Sequence, residues 1–202
     1  MLVGDLVKAS HTNEMNQRQL AKVKTKIETY NLIPGLIWTI VFAGPPAVFC
    51  YRHMPVEWFW MLLSLSLIPA FLPKTFFIGL QVSKSDLFYK KTGVNFIGQF
   101  TQNGKILNRL IQKRFPGYKR LPFEKQGYRS VFNQTFMYEK FHFILFIFFF
   151  TTMIFAICSG FYLWASFLFI ANLIYNIYPI LLQQSIRTRL ERIQGRANRK
   201  FS

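Results

Sequence analysis

Four long apolar stretches alternate with polar ones along the chain. The first runs from about Leu32 to Tyr51 and meets no charge until Arg52. The second starts near Trp58 and stays apolar to about Leu72. Lys74 then interrupts it, and Thr75 to Leu80 either extends it or lies in the interface. The third spans about Phe141 to Cys158 and holds Phe148-Phe149-Phe150; the fourth spans about Phe161 to Leu182. A helix of about 20 apolar residues crosses a hydrocarbon core of roughly 30 Å. The pattern therefore predicts an all-α polytopic membrane protein with about four transmembrane helices. Residues 32–80 form a first transmembrane hairpin and residues 141–182 a second. Pro45-Pro46 removes helix hydrogen bonds and should kink or end the first crossing.

The polar stretches carry weaker periodicities. Met15, Leu20, Val23, Ile27 and Tyr30 recur at near-helical spacing with Lys22, Lys24 and Lys26 between them. Residues 1–31 thus read as an amphipathic cytoplasmic segment that ends before Pro34 and lies either on the membrane surface or packed on the rest of the protein, and their polarity argues against a signal peptide. In the loop 81–140, Ile106, Leu107, Leu110 and Ile111 make one apolar face flanked by Lys105, Arg109, Gln112 and Lys113, the pattern of an interfacial or docked helix. Phe115-Pro116-Gly117-Tyr118 is a turn signal.

Charge supplies the orientation. The chain holds 25 Lys+Arg against 8 Asp+Glu, a net +17, while 51% of its residues are hydrophobic. Charge and apolar residues are segregated into blocks, unlike the alternation of a basic soluble domain. Five Lys/Arg lie in 1–31, twelve in 83–140 and six in the tail 183–202. Basic loops stay in the cytoplasm. Both termini and the central loop are therefore expected inside a multi-pass protein of the cytoplasmic membrane, with anionic lipid head groups as partners. No recognition module for nucleic acid accompanies the charge. Two Cys and three His exclude a disulfide scaffold, a zinc module and a His-rich di-metal oxidase.

The candidate chemistry lies in the few polar residues the apolar blocks tolerate. Glu139 and His142 open the third crossing as an i, i+3 pair on one helix face. Asn172, Asn176, Gln183 and Arg187 follow at spacings of four, seven and four, which share one face of a regular helix. Counting back from Ser159-Gly160 places His142 level with about Ile177, so the two faces meet at the inner membrane boundary. A His beside a carboxylate serves as a general base, and amides with Arg hold an oxyanion or a phosphate. The plainer reading is that the amides glue helices together. A second Glu-x-x-His for a di-iron site is missing, so no metal or cofactor is expected. Cys50 and Cys158 read as apolar fillers.

The run Tyr138-Glu139-Lys140-Phe141-His142, then a crossing, then Asn172, Asn176, Gln183, Arg187, Arg189 and Leu190, resembles the glycosyl-4,4'-diaponeurosporenoate acyltransferase family of staphyloxanthin-type carotenoid synthesis. Phe88-Tyr89-Lys90-Lys91-Thr92-Gly93-Val94 and Ile106-Leu107-Asn108-Arg109 are similar to it more weakly, and the resemblance covers roughly residues 83–193. It implies transfer of a fatty acyl group to a hydroxyl of a glycosylated carotenoid or another glycolipid, with an amphiphilic acceptor and an acyl donor as partners. Residue chemistry then assigns His142 as the general base and Glu139 as its orienting carboxylate. Asn172, Asn176, Gln183, Arg187 and Arg189 hold substrate. The competing reading is a non-catalytic scaffold or accessory subunit that binds anionic lipids, with these side chains sealed into interhelical hydrogen bonds.

Overall fold

The computed structural model describes the backbone of residues 2–99, 105–114 and 127–201, and the side chains of 25–26, 29–30, 32–94, 96, 98–99, 109–114, 127–196 and 199. Every regular element among them is helical. The turn expected at 115–118 lies outside the described residues, as do the side chains of Met15, Leu20, Val23, Ile27, Ile106 and Leu107.

Helix α1 (Leu2–His53) joins the N-terminal segment and the first apolar stretch into one rod that runs through Pro34, Pro45 and Pro46. Membrane helices tolerate such prolines when packed neighbours compensate the lost hydrogen bonds. Pro46 is buried, and Phe49 and Cys50 follow it into the core. Helix α2 (Val56–Ser66) then turns back, followed by a 3₁₀ turn (Ile68–Phe71) and the short α3 (Lys74–Gly79). Pro69 opens the 3₁₀ turn and Pro73 precedes α3. The second apolar stretch is thus a broken path. Val56–Phe71 falls short of the length of the three helices that can cross a membrane by length and composition: Leu32–His53, Tyr128–Cys158 and Tyr162–Arg196. These three mark a membrane protein.

Helix α7 (Tyr128–Cys158) and the rod made of α8 (Tyr162–Asn172), a π-turn (Leu173–Ile177) and α9 (Tyr178–Phe201) form the frame. They meet at the tight turn Ser159–Gly160, where Gly160 takes a left-handed φ of 80°. α7 packs against all three parts of this rod. Near the turn, Phe49, Met54, Leu62, Ala156 and Leu168 form one apolar cluster, flanked by Phe161 and Trp164. Below it Phe149, Ala171 and Tyr175 pack against Trp38 and Phe42. Small residues at these contacts let the helices approach closely. Leu36, Ile40, Leu163 and Phe169 face outward, as lipid-facing side chains do.

At the other end, α4 (Asp86–Lys91) and α5 (Val94–Ile97) pack on α9, and α6 (Lys105–Arg114) rests against α1. Ile111 of α6 is buried while Leu110 is exposed.

Candidate active site

A buried ion pair joins α7 to α9 at the end of the bundle remote from the Ser159–Gly160 turn. Arg187 Nη1 donates to Glu139 Oε2 at 2.6 Å, and neither side chain reaches the surface: their relative exposures are 0% and 1%. Taking two charges out of water is unfavourable unless every remaining donor and acceptor is engaged. The surroundings supply those partners. Gln184 Nε2 donates to the other carboxylate oxygen at 2.8 Å. Arg187 Nε donates to Gln81 Oε1 at 3.0 Å and Nη2 to the Phe77 carbonyl at 3.5 Å. Its guanidinium also lies over the Phe136 ring, 4.4 Å from the centroid.

The network continues into the segment after α3. Gln184 Oε1 accepts from the Val82 amide at 3.1 Å, and Gln81 Nε2 donates to Thr188 Oγ1 at 2.9 Å. The Tyr89 hydroxyl donates to the Ser83 carbonyl at 2.7 Å and reaches Gln184 Oε1 at 3.3 Å. Burial pushes the Tyr89 phenol up from its ordinary pKa. Residues 77–89, which lie at this end of the bundle without long regular structure, are therefore held by side chains of α9.

One turn along α7 from Glu139 lies His142. Its imidazole sits beside the Asn176 amide and the Tyr175 backbone, with its ring edge-on to Tyr175 at 5.9 Å. Asn176 Nδ2 donates to Asn172 Oδ1 at 2.8 Å, and Asn172 Nδ2 donates to the Phe146 carbonyl at 3.1 Å. Two buried atoms here make no well-formed hydrogen bond among the described residues: His142 Nδ1 and Asn176 Oδ1.

The sequence-predicted residues fall into three groups. Glu139 and Arg187 meet directly. His142, Asn172 and Asn176 form a second group one turn away, and the Glu139 oxygens are engaged by Arg187 and Gln184 rather than by the imidazole. Gln183 is half-buried outside the Glu139 network, and Arg189 is exposed on the Asp86 side of α9. The π-turn explains why Gln184 takes the position expected of Gln183. In an α-helix each residue advances about 100°, and a π-turn inserts roughly one extra residue. Everything after Ile177 is thereby rotated by about one residue, which swings Gln184 onto the face of Asn172. Gln184, Gln81, Thr188 and Tyr89 were missed because polar residues beside a basic loop carry no signal of burial.

Residues 73–196 match the family glycosyl-4,4'-diaponeurosporenoate acyltransferase, CrtO, over more than half of the chain. The chain belongs to this family. No curated protein and no solved structure matches it. CrtO membership makes it an acyltransferase of carotenoid biosynthesis whose acyl acceptor is a glycosylated carotenoid. The region shared with CrtO contains the whole Glu139–Arg187 network and the His142–Asn176 pair, whereas α1 and α2 lie outside it. The buried ion pair alone would suit a scaffold, but CrtO membership decides for an enzyme.

Proposed function

We propose that the chain works in the cytoplasmic membrane with four crossings, both termini and the basic loop 81–140 inside, and that transfer occurs at its inner boundary. The second crossing is the broken path through α2, the 3₁₀ turn and α3. Its support is the order of contacts along α7: the Trp58 ring meets Phe155, Phe59 meets Phe148 and Phe77 meets Phe143. Those pairs descend α7 as the chain returns. The interval from Glu139 to the Ser159 turn is 20 residues, about 30 Å of helix, which equals the hydrocarbon thickness. Segments 1–31 and 183–202 then lie on the cytoplasmic side.

His142 is the general base. The observation that carries this is that His142 Nδ1 and Asn176 Oδ1, buried on neighbouring side chains, make no well-formed hydrogen bond among the described residues. Leaving a buried polar group unsatisfied costs about 1–3 kcal/mol, so such atoms are normally paired. A sugar presents adjacent hydroxyls. One donates its proton to His142 Nδ1 while another donates to Asn176 Oδ1. The deprotonated oxygen attacks the acyl carbonyl carbon, the ester bond forms as the bond to the donor breaks, and His142 returns the proton to the leaving group. Asn172 holds the Asn176 amide. Glu139 acts through position, because its pairing with Arg187 and Gln184 fixes α7 against α9 so that His142 faces Asn176. Gln183 and Arg189, outside the network, line the approach of the acyl donor.

The test is transfer to a glycosylated carotenoid by the purified chain in nanodiscs. His142→Ala should fold with the wild-type helical signal and lose about 10²–10⁴-fold in rate. A folded His142→Ala protein with full transfer activity would overturn the mechanism.

A further inference from the structure

We propose that the basic cleft between α9 and the segment preceding α4 binds the phosphates of a coenzyme A-type thioester, the acyl donor. The cleft has a volume of about 420 Å³ and is lined by Lys84, Thr188, Glu191, Arg192, Arg196 and Arg199. Four cations thus face one carboxylate. Arg192 is shared with Asp86 at 3.5 Å, while Lys84, Arg196 and Arg199 make no ion pair among the described residues. Like charges repel, so three unpaired cations around one cavity are held together at an electrostatic disadvantage that an anion relieves. Planar guanidinium groups suit phosphate oxygens, which they engage by paired donors.

The position selects the kind of phosphate. The lining runs along α9 from Thr188 to Arg199, away from the bilayer end of the helix, for about 16 Å. A phospholipid head group stays in the interfacial plane. A soluble nucleotide with a diphosphate and a phosphate monoester fits a cleft that extends into the cytoplasm. Thr188 lies 12 residues beyond Asn176, about 18 Å along the helix. An extended pantetheine arm, equal to four or five residues of extended chain, covers about 15 Å before the diphosphate is counted. The thioester carbonyl then reaches the His142 level. There the carbon–sulfur bond breaks as the carbon–oxygen bond to the sugar forms, and the hydroxyl proton ends on the thiolate; nothing is oxidised or reduced. The ligand's identity rests on the proposed transfer at His142; the anion site itself does not.

The experiment titrates coenzyme A into the full chain in phosphatidylcholine nanodiscs at low and high salt. Saturable, salt-sensitive binding is expected. The double variant Arg196→Gln with Arg199→Gln should weaken it by about tenfold or more. Both side chains are exposed, so folding should survive, which circular dichroism checks. Lys113→Gln, exposed on α6 outside the cleft, should bind as wild type. 3'-Dephospho-coenzyme A should bind several-fold more weakly. Absent binding, or equal binding by all variants, overturns the site. Phosphatidylglycerol nanodiscs separate the two phosphate sources: if this lipid displaces coenzyme A through Arg196 and Arg199, the cleft is a lipid site and the donor assignment is wrong. Binding is read without turnover, so an active His142→Ala protein would refute the base while leaving this result intact.

Discussion

Arg187 and Glu139 are charged where no water reaches them, and that makes each dependent on the other. Replacing one leaves an uncompensated buried charge. Arg187→Met or Glu139→Leu alone should destabilise the chain by about 3–5 kcal/mol, read as a loss of thermal stability in nanodiscs. The double replacement should recover much of that loss, because two apolar side chains of similar size need no pairing. Recovery of stability without recovery of transfer would separate the pair's positioning role from its packing. Asp86 behaves differently because it is near the surface. A hydrogen bond from Lys90, helped by the charges of Lys90 and Arg192, holds its carboxyl below the usual carboxylate range. A depressed folded pKa stabilises above the unfolded value of about 4 and is lost as pH falls through the folded one. Asp86→Asn should therefore loosen α4 in hydrogen exchange at pH 7, with an effect that shrinks as pH falls through the folded pKa. At this scale the sequence made the charged members of the site visible, since Glu139 and Arg187 border apolar blocks. It hid Gln184, Gln81 and Tyr89, whose burial depends on the segment 77–89 folding over them.

Among elements, the π-turn at Leu173–Ile177 matters most, because it sets the register of all that follows. Deleting Ile174 should restore regular helix and leave α9 in its present register, whereas inserting one alanine after Ile177 should rotate α9 by about 100° relative to α8. Gln183 would then point where Gln184 now meets Glu139, and Arg187 would leave the carboxylate. The expected outcome is a folded helical hairpin of lower thermal stability with transfer activity abolished. Wild-type activity in the insertion would show that register does not matter. Regular spacing predicted a shared face for Asn172, Asn176 and Gln183. The inserted residue could not be read, since no composition rule distinguishes a π-turn within an apolar run. The broken second stretch has a similar origin. Its hydropathy is continuous, but Pro69 and Pro73 interrupt the backbone hydrogen bonds a straight crossing requires.

For the molecule as a whole, the proposed topology predicts which cysteine meets the outside. Cys158 is exposed at the Ser159–Gly160 turn, whereas Cys50 is buried. A membrane-impermeant maleimide added to intact cells should label Cys158 and leave Cys50 unlabelled. A cysteine introduced at Lys113 in a Cys158→Ser background should react only after the membrane is opened. Labelling of that position in intact cells would invert the orientation.

The sequence by itself determined the solvent and the sidedness expected of each segment. Hydrophobic length and the placement of Lys and Arg are local properties, summed residue by residue, and bilayer thickness converts them into crossings. Resemblance over its second half pointed to the family for the same reason, since motif residues are read in chain order. Only the tertiary structure decided which polar side chains meet. Glu139 and Arg187 are 48 positions apart and Gln81 and Arg187 are 106 apart. Their contact depends on the turn at Ser159–Gly160, the extra residue of the π-turn and the fold of 77–89 acting together. A distance of that kind is a property of several elements at once, and no single stretch of sequence contains it.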